Sequence, residues 1–451
     1  MKILWSASLF LIGVTLVILT GCKKEGDVIA PSSTVTESKM AQGSHTDKYP
    51  ADVAISWMNM QLQIMKTATG IANVAFCRPY AYSGITLYQS VLPGMPFYKS
   101  FVGQLTNMPA MPEAISSLKY YWPSSANAAM ASILKKMYPA TSAQNITSID
   151  SLENVLSIEY SAAEDTATIN RSIAFGRSVA QAVFDWSETD GYLHAADPYT
   201  PPVGPGLWVP TAPSFAPASE PYWGNLRVMV SGSGDNAQPG APIPYSEDPN
   251  SAFYNMVKQV YDVSQTLTAA QTDQALYWRD VGPGVTTPGH YLSILEQLFV
   301  TEKPALDKAA AAYALCSISV FDAAISCWQT KYNFNLVRPI TYITTVLGHT
   351  TWLPLLTTPA HPEYSSAHAV LSVANAVVLT QIFGDNYSFT DHTYDYLGYA
   401  PRAFTSFRAL AEDAANSRLY AGIHYQPSID VGITQGKTIA NNIIHTLRFK
   451  K

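Results

Sequence analysis

The sequence predicts an all-α protein, on three observations. Apolar residues recur at three- and four-residue spacing through most segments from Val53 onward, strand-like alternation is scarce, and the chain has enough apolar mass for a large core. Of 451 residues, 47% are apolar and 13% charged, which suits two intimately packed helical layers with disorder confined to the N-terminus. The helical pattern is clearest in AISWMNMQLQIM (54–65), TINRSIAFGRSVAQAVFDW (168–186) and SAFYNMVKQVYDVSQTL (251–267). A net charge of −6 gives no electrostatic footprint for nucleic acid, so a bound anion would have to be caught by a local cluster of cations.

The chain divides into four stretches. Residues 1–21 have a basic start and an apolar run ending in Leu19-Thr20-Gly21-Cys22, the form of a lipoprotein signal peptide with Cys22 as the lipidated residue. This places the protein in the cell envelope, anchored to the outer membrane on its periplasmic or surface face. Residues 22–48 are polar and read as a flexible tether. Residues 49–248 form an N-terminal helical region closed by a connection, from about Ala195 to Asp248, rich in Pro, Gly and aromatics. That composition forbids a long helix, but its Trp and Tyr density suits an ordered loop wrapping the helices.

Residues 249–451 form a C-terminal helical core. Its helices are expected to start near Pro249, with Asp248 as cap, and near Thr268, followed by a turn at Gly282-Pro283-Gly284. The apolar run 309–328 is long enough to suggest a membrane span, but Asp322 within it points to a central core helix. Cys316 and Cys327 lie about 16 Å apart along that helix, too far to pair. With Cys77 at most one disulfide is available, and all three suit buried small hydrophobes.

Three late segments carry chemistry: KYNFNLVRP (331–339), HPEYSSAHA (361–369) and SRLYAGIHYQPSID (417–430). Binding a tetrahedral oxyanion needs cations on several sides, backbone donors at a helix start and an axially placed imidazole. Lys331 and Arg338 are seven apart and share a side if helical, with Pro339 redirecting the chain. Taken alone, the pair better suits a solvated, salt-bridging face. Ser365 or Ser366 can cap the helix that follows, leaving successive N–H groups aimed outward. Arg418 and His424 flank Gly422, and Asp430 follows after a turn.

Together these segments resemble, in order and content, the motifs of the type 2 phosphatidic acid phosphatase and vanadium haloperoxidase superfamily. Lys331, Arg338 and Pro339 match the first motif, Ser366 and His368 the second, and Ser417, Arg418 and His424 the third. The resemblance extends upstream through residues 74–91, 207–225 and 245–262, which look like the long soluble haloperoxidase-like proteins. It implies that helical bundles with long Pro-rich ordered loops hold vanadate through Lys331, Arg338, Ser366, the N–H of Ala367, and Arg418, with His424 as the axial metal ligand. His368 would be the general acid and base, and Asp280 would pair with Arg418. Ala367 stands where the family has Gly, and Asp430 lies six after His424 instead of four, which would remove the orienting carboxylate. His361, seven before His368, occupies a position that resembles the switch between chloride and bromide oxidisers and predicts bromide or iodide. The activity implied is oxidation of halide by hydrogen peroxide. The alternatives are a cofactor-free acid phosphatase acting on a phosphoester through a phosphohistidine at His424, and a non-catalytic surface lipoprotein of the same fold.

Overall fold

The protein is described by a computed structural model at residues 45–281 and 284–451. The leader, Cys22 and most of the expected tether lie outside the described residues, as do Gly282 and Pro283 of the expected turn. At the end of the tether stretch, Thr46–Lys48 form a 3-10 turn, and buried Thr46 donates its hydroxyl to Val91 O at 3.1 Å.

Five helices come first: α1 (Asp52–Thr67), α2 (Cys77–Val91), α3 (Trp122–Met137), α4 (Ala143–Ser161) and α5 (Thr166–Ser187). Beyond the Pro-rich connection come α6 (Ala252–Gln265), α7 (Ala269–Tyr277), α8 (Thr287–Glu302), α9 (Leu306–Phe334) and α10 (Pro339–Thr345). The last three are α11 (Ala367–Phe383), α12 (Phe407–Tyr420) and α13 (Gln426–Thr446). A short antiparallel pair, β1 (Phe389–Asp391) and β2 (Arg402–Phe404), links α11 to α12. Side-chain caps start many of these helices: Ser142, Asp165, Thr286 and Ser406 each accept an amide N–H three residues on, and Thr268 forms a capping box with Gln271. α6 begins three residues later than expected. Ser251 Oγ caps it, because Asp248 Oδ1 is already taken by the Asn250 amide in the preceding turn.

α9 is the axis of the molecule. Its 29 residues span roughly 43 Å, and nearly every position from Leu306 to Lys331 is buried, with α2 on one side and α11 and α13 on the other. Asp322 ties the Pro-rich connection to this helix by accepting the backbone N–H of Met229 (2.6 Å) and Val230 (3.0 Å). The connection is indeed ordered. Trp208 and Trp223 are fully buried, Trp208 N–H donates to Asn335 O, and Ser219 N–H donates to Ala360 O. Cys77, Cys316 and Cys327 are buried free thiols.

α13 lies against the first turns of α11 at two glycines. A Cβ on Gly436 would overlap the Val370 carbonyl, and one on Gly432 would come within 2.9 Å of Ala369 Cβ and 3.0 Å of Ser366 O. Close backbone approach of this kind brings the 417–430 segment beside the start of α11.

Candidate active site

Two of the motif segments, 361–369 and 417–430, line one cavity of about 550 Å³ through His361, Ala367, His368, Arg418 and His424, and the third, 331–339, stands behind that wall, with Arg338 Nη1 3.4 Å from His424 Nε2 and Lys331 Nζ donating to Ser365 O. Each is placed by a different element. Lys331 projects from the last turn of α9, Arg338 stands at the N-cap of α10, Ser366 at the N-cap of α11, Arg418 at the end of α12, and His424 in the turn before α13. That turn is tight because Gly422 takes φ +76°.

The cations are held by carbonyl oxygens. Lys331 Nζ donates to Pro362 O (3.1 Å), Glu363 O (3.0 Å) and Ser365 O (2.5 Å). Arg338 donates to His361 O (2.8 Å) and Ile423 O (2.9 Å), and Arg418 donates to Trp278 O (2.7 Å) and Ser417 Oγ (2.9 Å). The ion pairs of this region instead join histidines to carboxylates, and none involves Lys331, Arg338 or Arg418 among the described residues. All three cations are buried. Burial lowers the pKa of Lys331 and brings Arg338 and Arg418 down to about 10, so both guanidinium groups stay charged at neutral pH.

Ser366 begins α11 without capping it. Its hydroxyl is buried and has no hydrogen-bond partner, and the neighbouring Ser365 hydroxyl is committed to Gln435 Oε1 at 2.6 Å. The first N–H groups of α11 therefore lack a side-chain acceptor, an arrangement suited to an anion. Ala367 is the first helical residue and has negative φ, so the Gly-to-Ala difference costs nothing in backbone strain here.

His424 Nδ1 is 2.7 Å from Glu363 Oε1, which also accepts the Tyr425 amide at 3.0 Å, while Glu363 Oε2 accepts from Ser428 Oγ at 2.6 Å. An oxygen that accepts the Tyr425 N–H must accept from the imidazole too, so Nδ1 carries the proton and Nε2 keeps its lone pair. Arg338 Nη1 lies 3.4 Å from that Nε2. Burial and then Arg338 and Lys331 push the His424 pKa well below 6.5, which keeps the lone pair available. Asp430, by contrast, is exposed and bonded to Gln426, so Glu363 is the carboxylate that orients His424. Sequence reasoning passed over Glu363, although it lies inside HPEYSSAHA between the two histidines singled out.

Asp280 also departs from expectation. It does not pair with Arg418. Its Oδ1 takes His290 Nδ1 (2.8 Å) and the Tyr394 hydroxyl (2.6 Å), and its Oδ2 lies 3.3 Å from His368 Nε2. Arg418 is turned instead to the Trp278 carbonyl at the end of α7, two residues before Asp280 in the chain. Burial and then Arg418 bring the His368 pKa down to about 4 against the pull of Asp280. His361 sits on the Trp328 ring, with Nδ1 2.9 Å from Arg338 Nη2, and burial followed by Lys331 and Arg338 lowers its pKa well below 6.5.

Residues 311–449 match the family described as the VCPO second helical-bundle domain. A crystal structure of the first bacterial vanadium-dependent iodoperoxidase superposes with a TM-score of 0.81 at 31% identity, covering 89% of this chain and 98% of that one. The chain belongs to the vanadium haloperoxidase superfamily. Holo- and apo-type structures of a bacterial vanadium-dependent chloroperoxidase share the fold at TM-scores of 0.64 and at 15% and 14% identity. They cover 85% and 84% of this chain and 95% of each of those chains. No curated protein sequence matches. For a member of this superfamily the donor set fits vanadate: an unpartnered buried hydroxyl, cations without a direct ion pair among the described residues, a helix start without a side-chain cap and an imidazole lone pair lie in or behind the wall of the cavity.

Proposed function

We propose that this protein is a vanadate-dependent haloperoxidase that oxidises bromide or iodide with hydrogen peroxide. The observation that carries the reading is the buried Ser366 hydroxyl without a hydrogen-bond partner, near three buried cations that form no direct ion pair with a carboxylate among the described residues. Burying these groups is costly unless an anion completes them. Bound vanadium would supply a Lewis-acid centre that makes the peroxide O–O bond electrophilic.

The chain's own residues do the rest. His424 would hold the vanadium through Nε2, with Glu363 fixing its tautomer. Arg338, Arg418, Ser366 and the Ala367 N–H cradle the oxygens. Lys331, whose three protons meet the carbonyls of Pro362, Glu363 and Ser365, braces the loop before Ser366 and would contribute its charge to holding the anion. His368, neutral near pH 7, accepts a proton from hydrogen peroxide and later returns one, so that halide, peroxide and one proton give hypohalous acid and water. His361 and Trp328 form the adjoining wall, and the iodoperoxidase relative supports a large, polarisable halide there. Residues 1–22 support lipidation at Cys22 in the envelope, checked by mass spectrometry of the mature N-terminus.

Peroxide-dependent oxidation of iodide and bromide by purified protein with added vanadate tests the reading. It should vanish on chelating vanadate and in His424→Ala. No turnover with any halide, or phosphoester hydrolysis that requires His424, overturns it.

A further inference from the structure

His368 is the first member of a buried chain of four groups. Behind it stand Asp280, then His290, then Asp391, and no side chain of the last three is solvent exposed. His290 is held at both ends, with Nδ1 2.8 Å from Asp280 Oδ1 and Nε2 2.7 Å from Asp391 Oδ2. A neutral imidazole has one proton and would turn a lone pair toward one of these carboxylates. Two protons satisfy both contacts.

The groups facing the ring agree with a cation. Trp278 stacks on it, with centroids 4.4 Å apart and planes at 20°, and Tyr277 and Tyr394 meet it at larger angles. The two carboxylates are themselves fixed by neutral donors: Tyr394 donates to Asp280 Oδ1, Tyr277 donates to Asp391 Oδ2 at 2.8 Å, and Thr393 donates to Asp391 Oδ1. Burial disfavours a charged ring, but Asp280 and Asp391 outweigh it and push the pKa of His290 up to about 10.

We propose that His290, doubly protonated between Asp280 and Asp391, is a positioning residue that aims Asp280 at His368 and thereby fixes the tautomer and orientation of the proton-transferring imidazole. With Oδ1 filled by His290 and Tyr394, the buried Oδ2 of Asp280 has no hydrogen bond of its own and faces His368 Nε2 at 3.3 Å, a nitrogen that also lies 3.4 Å from Thr287 Oγ1; a proton on that nitrogen would close the contact and leave the lone pair on Nδ1. Trp278, which supplies the Arg418 acceptor, stacks on the His290 ring, and Tyr277 beside it is tied to Asp391. No sequence motif marks His290 or Asp391, and they lie 101 residues apart. The proposal rests on the reading of His368 as the group that handles the peroxide proton.

The test combines spectroscopy and kinetics on the full chain. Nitrogen-15 spectra of histidine-labelled, vanadate-free wild type should show one imidazole that stays doubly protonated at pH 8, absent in His290→Gln, and a His368 ring held in one tautomer. In the milder Asp391→Asn variant the His290 signal should become neutral. In both variants kcat for halide oxidation should fall roughly ten- to hundredfold, with vanadate affinity and the halide KM within about threefold of wild type. A neutral His290 in the wild-type spectrum overturns the proposal. So does an unchanged kcat in Asp391→Asn protein that is folded and loaded with vanadate. Absence of halide turnover in the wild type instead defeats the functional reading, and the spectra then decide the charge and tautomer by themselves.

Discussion

Glu363 Oε1 lies 2.7 Å from His424 Nδ1 and accepts the backbone N–H of the next residue with the same atom. One carboxylate therefore fixes both the tautomer of the imidazole and the turn that presents it, and it does so from inside the segment that also carries His361, Ser366 and His368.

Glu363→Gln keeps the shape and one acceptor but removes the charge. The imidazole loses basicity at Nε2, and the Ser428 hydroxyl meets an amide N–H instead of an oxygen. Vanadate affinity is expected to fall roughly ten- to hundredfold. Titration of vanadate-free protein with vanadate measures it, and unchanged affinity would remove Glu363 from the site.

Ser366→Ala separates binding from stability. In the vanadate-free protein the hydroxyl is buried without a partner, so its removal is expected to leave stability unchanged or raise it by about 1 kcal/mol. Vanadate binding should weaken several-fold, because an acceptor oxygen of the anion loses its donor. Loss of stability together with unchanged binding would show that the hydroxyl serves the fold.

His290 makes stability depend on pH with a definite sign. Its folded pKa, about 10, lies above the ordinary value of 6.5. Its stabilising contribution is therefore fully present below pH 6.5 and is lost as pH rises toward 10. The difference in unfolding free energy between wild type and His290→Gln should be flat from pH 5.5 to 6.5. It should then shrink by about 1.4 kcal/mol per pH unit above that. A difference that grows with pH would mean that the ring is neutral.

The motif residues were legible in sequence because three constraints fall within short stretches: a cation at a helix end, a helix start beginning with serines, and a histidine after a glycine turn. His368, Arg418 and His424 line one cavity, and Lys331, Arg338 and Ser366 are packed into the segments that form its wall. Of their supporting carboxylates, Glu363 was not legible, and Asp280 was legible but not its partner. Glu363 and His424 are 61 residues apart, and Asp280 and His368 are 88 apart, so pairing is decided by how α7, α8, α11 and the 361–366 loop pack. Asp430 is near His424 in sequence but six residues on instead of four, and α13, which starts at Gln426, turns it to solvent. The core character of α9 was readable from Asp322 within its apolar run and from the lack of other runs of that length, whereas the partner of Asp322, the backbone at Met229 and Val230, lies in a Pro-rich stretch without periodicity.

The contact between α13 and α11 offers the most direct link from packing to the site. A Cβ on Gly436 would meet the Val370 carbonyl, which is backbone and cannot rotate away, so Gly436→Ala must push α13 off α11. The expected cost is about 1–3 kcal/mol in denaturant unfolding. Gly240→Ala, where no atom lies within 4 Å, should change stability by less than about 0.5 kcal/mol. Because Ser366 donates its N–H to Ser428 O across this same contact, the shift moves the start of α11 relative to His424. Vanadate affinity should therefore fall in Gly436→Ala even under conditions where the variant is fully folded. Full affinity in a destabilised Gly436→Ala protein would mean that the two helices carry their site residues independently.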